Sequence, residues 1–96
     1  MLAQLTSTTL NPTQAPWFNQ THPETMKELG EWIKTHPGLI HISGKALNPT
    51  TWENILIFEN EEFANAFLAA EHEHKTARIE YNDINGMTTN HVITTL

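Results

Sequence analysis

Residues 52–63 read Trp52-Glu53-Asn54-Ile55-Leu56-Ile57-Phe58-Glu59-Asn60-Glu61-Glu62-Phe63, and this stretch decides the fold. Ile55-Leu56-Ile57-Phe58 is apolar at every position, whereas a strand covered on one side alternates apolar with polar residues. The β-branched content and the turn signals on both sides favour a strand over a short buried helix. A strand with two apolar faces needs cover on both. Asn60 is a good helix N-cap, with Glu61 and Glu62 following at the positive end of the helix dipole. Strand 52–58 therefore leads into a helix whose inner face is Phe63, Ala66, Phe67 and Ala70. His74 continues that stripe and His72 points away from it. The phase predicts His74 buried or bordering a pocket, and His72 exposed.

Working outward, Asn48-Pro49-Thr50 turns the chain between strand 52–58 and a preceding strand over Leu39 to Leu47. Before that, His36-Pro37-Gly38 stops a helix, because a residue preceding proline avoids the α region. This first helix starts at Thr21-His22-Pro23-Glu24, where Thr21 and Glu24 have capping-box spacing and proline suits the first turn. Met26, Leu29 and Ile33 form its apolar stripe, with Trp32 at the margin. Gly30 shares that face, and a close approach of helix to sheet would account for it. Residues 2–10 are rich in Thr and read as a strand, and Trp17 and Phe18 anchor the turn-rich connection that follows. Toward the other end, Ala77–Ile84 and Met87–Thr95 flank Asn85-Gly86, a strong hairpin signal. In that register Ala77, Ile79 and Tyr81 share a face with Val92, and Glu80 faces His91. The order is β-α-β-β-α-β with an extra C-terminal strand: an antiparallel α+β fold.

The chain has 96 residues, which fits a single domain over 1–96. A domain of this size has a thin core, and with no cysteine it has neither disulfides nor thiolate metal sites to reinforce it. Burial against a second copy is one remedy. The net charge is −6, and the five basic residues are spread singly, so no nucleic-acid or anionic membrane partner is expected. No stretch approaches the ~20 apolar residues of a membrane span, and the first residues lack the features of a signal peptide. Absence of cysteine fits a reducing cytoplasm.

With Pro37-Gly38-Leu39-Ile40 after the first helix, and Ile55-Leu56-Ile57-Phe58-Glu59 leading into Asn60-Glu61-Glu62-Phe63, the chain resembles the ferredoxin-like subunit of the dimeric α+β barrel superfamily. That superfamily includes the antibiotic biosynthesis monooxygenase-like proteins. The resemblance covers nearly the whole chain. It implies a homodimer joined sheet to sheet with helices outside, and cofactor-free oxygenation of an aromatic substrate. The family often carries Trp or Tyr at the end of the third strand and His within the second helix; here those places hold Phe58 and Phe67. His74 lies roughly where haem-degrading members of the superfamily place a histidine.

Glu71-His72-Glu73-His74 lacks the i, i+4 spacing with which two helical histidines reach one ion, so no metal is expected. No cofactor is expected either. There is no phosphate loop, nucleophile elbow or Ser-His-Asp pattern. Two functions remain open. The first is a monooxygenase-like enzyme acting on a small apolar or aromatic molecule, with a pocket between helices and sheet. Trp32, Phe67, Tyr81 and His41 are its expected lining, and His74 its catalytic group. The second is a non-catalytic homodimer that binds a ligand or serves as a structural module.

Overall fold

The computed structural model describes residues Met1–Leu96. The elements are β1 (Ala3–Leu10), α1 (Phe18–Thr21), α2 (Pro23–Lys34), β2 (Leu39–Asn48), β3 (Thr51–Phe58), α3 (Glu61–Ala69), α4 (Glu73–Ile84) and β4 (Thr88–Thr95). The four strands form one antiparallel sheet in the order β2-β3-β1-β4. This is the ferredoxin-like α+β arrangement, with the first strand in the interior of the sheet. No helix is long and apolar enough to cross a membrane.

Alternation on β1 divides the sheet into two faces. Ala3, Leu5, Ser7 and Thr9 point to the helices, and burial follows that alternation. Leu5, Leu29 and Phe58 are fully buried and form the core with Ala3, Ile33, Leu56 and Ala64. Burying each of the large side chains is worth ~1.5–3 kcal/mol. α3 supplies Ala64 and rests on β1, β3 and β4, while α2 supplies Leu29 and Ile33. Only 12 of the 96 residues are buried, which leaves the core as thin as the chain length implies. The opposite sheet face carries no helix. There Ile55 and Ile57 are half-buried, and Leu10 and Val92 stand 50% and 48% exposed.

The Asn60 cap forms as read, with its side-chain oxygen accepting from Phe63 N–H at 3.1 Å. Three other local expectations are corrected. Thr21 does not cap α2. Its hydroxyl bonds to the Phe18 carbonyl and the His22 ring instead, because residues 18–21 have already formed α1. A Cβ on Gly30 would meet nothing within 4 Å, so no close approach explains that glycine. Finally, Ala77–Ile84 is helical, and the sheet has four strands with no extra one.

The last correction has a clear cause. Asn85-Gly86 does not turn a hairpin; it terminates α4. Gly86 takes φ +73, Gly86 N–H donates to Asp83 O, and Met87 N–H reaches back to Asn82 O at 2.8 Å. This is the left-handed helix end that glycine favours, and a positive φ serves a hairpin turn or a helix end equally well. Met87, just past the cap, is buried. Ile79, expected to share a strand face with Val92, lies on α4 and is 47% exposed.

The second long helix therefore breaks in two. Ala70 leaves the α region at φ −67, ψ 136 and α3 stops. His72 then caps α4, its Nδ1 accepting from His74 N–H at 3.1 Å. The phase argument that set His72 in solvent and His74 in the core fails, because the helix ends before either residue. Both are half-buried.

Candidate functional site

The register pairs residues across the helix side of the sheet in four rows. Ala3 lies between Phe58 and Thr95, and Leu5 between Leu56 and Ile93. Ser7 lies between Asn54 and His91, and Thr9 between Trp52 and Thr89. Directly opposed residues share a face, so the sheet changes character halfway along β1. The first two rows supply much of the apolar core. The second two are hydrogen-bonded side chains.

Each polar side chain in those rows makes at least one hydrogen bond, as partial burial favours. Ser7 Oγ meets His91 Nδ1 at 2.7 Å, and Thr9 Oγ1 meets Thr89 Oγ1 at 2.9 Å. Trp52 Nε1 donates to Asn54 Oδ1 at 3.0 Å. Gly44 on β2 makes room for that pair, since a Cβ there would collide with Asn54 Oδ1 and lie 3.2 Å from Trp52 Nε1. Ser7 and Thr9 are buried, while His91 on the edge strand stays open to solvent.

α4 carries two cations, Lys75 and Arg78, whose charges reach His91. Lys75 Nζ donates to the Leu68 and Ala70 carbonyls at 2.9 and 2.6 Å, closing the C-terminal end of α3. Arg78 is half-buried, makes no ion pair with any carboxylate and donates no hydrogen bond. Burial lowers its pKa. Burial also holds the His91 imidazole below its ordinary pKa, and the Arg78 and Lys75 charges add to that effect. A desolvated guanidinium without a counter-ion suits a bound anion or a developing oxyanion.

The 11–17 connection straps α4 to the sheet. Asn11 is fully buried and holds Ala15 from both sides, while its own N–H donates to Thr50 O. Tyr81 of α4 donates to Pro16 O and meets Phe18 edge-on at 5.5 Å. Trp17 reaches Trp52 at 5.8 Å, bringing an aromatic wall to the polar rows.

The residues expected to line one pocket are dispersed. Trp32 and Phe67 do come together, at 6.2 Å, but in a seam filled by His36 and His72, whose rings lie 4.4 and 4.7 Å from Trp32. Tyr81 belongs to the Phe18 and His22 cluster instead. His41 is exposed and faces away from the helices, opposite in phase to core-packed Ile42. His74 Nε2 is engaged by Glu28 Oε2 at 2.6 Å, tying α4 to α2. His91 meets Ser7, not Glu80. No three histidines and carboxylates converge as metal ligands.

Sequence reading missed Ser7, Asn54, Gly44 and Arg78. Two signals were present: a glycine inside a strand marks a close approach, and an amide beside an apolar run calls for a partner.

This architecture is shared with solved structures of antibiotic biosynthesis monooxygenases and a cofactor-independent oxygenase. The chain is similar to SnoaB of Streptomyces nogalater, described as a cofactor-independent oxygenase, with a TM-score of 0.62 at 11% identity, over 99% of this chain and 92% of that one. An antibiotic biosynthesis monooxygenase matches with a TM-score of 0.64 at 17% identity, over 100% and 98% of the two chains. A conserved protein from Methanosarcina mazei Go1 matches at 0.67 and 17%, over 98% and 92%. No family model matches the chain, and no curated protein does.

Proposed function

We propose that this protein is a homodimeric small-molecule enzyme: a cofactor-free oxygenase for an aromatic compound with an acidic hydroxyl, bound over the polar rows beneath α4. The observation that carries this reading is the switch on the helix side of the sheet. Apolar rows give way to Ser7, Asn54, Trp52 and His91, and Arg78, which has no carboxylate partner, is near enough for its charge to help lower the His91 pKa. A site that orients a ligand needs a few fixed polar groups beside apolar and aromatic walls, and Trp17 and Trp52 supply the walls. The shared fold with a cofactor-independent oxygenase supports the same chemistry.

Oxygenation without a cofactor requires a substrate that supplies its own electrons. Deprotonating an activated methylene conjugated to a phenolic or keto oxygen gives a carbanion that dioxygen can oxidise. One oxygen atom stays as a carbonyl, and the other leaves as water with the two methylene hydrogens. The protein's task is to hold the anion, where Arg78 acts, and to exclude competing solvent. His74 is the weaker catalytic candidate, because its Nε2 is already engaged by Glu28.

The second copy covers the helix-free sheet face, where Ile55, Ile57, Leu10 and Val92 lie. Oxygen uptake with hydroxyaromatics that carry an activated methylene tests the activity, with no flavin or metal added. The expected result is one dioxygen consumed per substrate and a fall of about 10²–10³ in turnover for Arg78→Gln. Tight binding of these compounds without turnover would favour the non-catalytic module.

A further inference from the structure

We infer that His91, oriented by Ser7, is the proton acceptor of this site, and that it serves a weakly acidic hydroxyaromatic bound as its oxyanion against Arg78. The inference rests on the placement of the site proposed above and names the base within it.

The pair is more than a means of satisfying a buried hydroxyl. One row along the same two strands, Thr9 is satisfied by Thr89 at 2.9 Å, so a threonine suffices there. Opposite Ser7 the chain places an imidazole instead, the one ring on a strand otherwise made of Thr, Asn and aliphatic residues. Ser7 engages Nδ1 at 2.7 Å, and Nε2 has no partner. With Nδ1–H donating to Ser7 Oγ, the Nε2 lone pair is free to take a proton. Ser7 itself is buried and His91 is accessible, which is the division of labour between a positioning group and a base that must reach its substrate.

Partial burial first, and the Arg78 and Lys75 charges after it, disfavour a proton on His91. Arg78 and Lys75 of α4 are both cationic, and neither β1 nor β4 carries any ionisable group other than His91. Without an anion beside it the imidazole therefore stays neutral. A bound hydroxyaromatic changes the balance. Its O–H bond breaks, an N–H bond forms at Nε2, and the electron pair stays on oxygen, with no oxidation in this step. The new anion then stabilises both the imidazolium and Arg78.

The test uses the full chain with 4-nitrophenol, whose phenolate absorbs separately from the phenol, and nitrogen-15 NMR of the histidine rings at neutral pH. In the free protein His91 is expected to be neutral with the proton on Nδ1. On saturation its nitrogens should move to imidazolium values while the phenolate band exceeds that of the probe in buffer. His91→Gln should lose the excess band. Ser7→Ala should shift the pH midpoint of phenolate formation, and Ser7→Thr should restore it. Probe bound as phenolate with His91 still neutral, or an undiminished band in His91→Gln, would overturn the inference and leave the site standing. Absence of binding, judged by the Trp52 and Asn54 resonances, would overturn the site and the inference with it.

Discussion

Asn11 is where stability and site are joined, and replacing it gives a measurable test. Its side chain is fully buried, donates to Ala15 O at 2.7 Å and accepts from Ala15 N–H at 3.2 Å. Asn11→Ala strands both backbone groups of Ala15. A buried group left unpaired costs ~1–3 kcal/mol. Ala15 is only half-buried, so water recovers part of this, and the loss should be about 2–3 kcal/mol for the two groups together. At ~4–8 °C per kcal/mol for a domain of this size, the melting temperature should fall by about 10–20 °C. Asn11→Asp is the internal control. It keeps the acceptor but sets a carboxylate against the Ala15 carbonyl. Its loss should therefore be largest at neutral pH and smaller in acid, where the protonated acid can donate. Urea unfolding followed by circular dichroism measures both variants. An Asn11→Ala change within about 0.5 kcal/mol of wild type, the range of an ordinary surface substitution, would refute the view that this side chain holds the 11–17 strap.

Gly30→Ala should raise stability by about 0.5–1 kcal/mol in thermal unfolding, since the added methyl meets open space and helix propensity improves. Gly38→Ala should lower it by about 2–4 kcal/mol, because Gly38 has φ +79 and its Cβ would drive into the Phe63 ring. Light scattering should give twice the chain mass for wild type and the single mass for Ile57→Lys, with the fold retained. A wild-type monomer at high concentration would sink the barrel assembly. His91 has its folded-state pKa below the unfolded 6.5, so the unfolded chain binds more protons between those values and stability rises with pH. Stability should therefore drop as pH falls below about 6.5, and the His91→Gln variant should lack that component.

Local signals made most of the fold legible. The run Ile55 to Phe58 and the Asn60 cap identify β3 and α3 because each acts within a few residues. Residues 70–86 resisted for the same reason. Asn85-Gly86 specifies a backbone turn without saying what precedes it, and Ala77, Ile79 and Tyr81 alternate as a strand would. Helix α4 buries no residue completely, so it leaves no strong apolar stripe to contradict that reading. The site was less visible still. Ser7, Asn54 and His91 are far apart in sequence and meet only through register, and the Arg78 charge acts on His91 from a segment, Ala77–Ile84, that reads as a strand and folds as a helix.

The position of β1 bears on how the protein is made. β1 leaves the ribosome before either of its neighbours, β3 and β4, and its second partner is Thr88–Thr95. Ala3 pairs with Thr95, so a nascent chain can close the β1–β3 side while Ala3–Leu10 keeps an open edge of N–H and C=O groups. Folding is completed only after residues near 95 are synthesised, and such distant pairing is slow. Until then the Leu5 and Phe58 surface has partial cover, the kind of exposed apolar surface that makes a folding intermediate prone to aggregate. Chains stalled before Thr88 would present this edge to one another, so the pairing of the eight-residue β4 is the step that closes it.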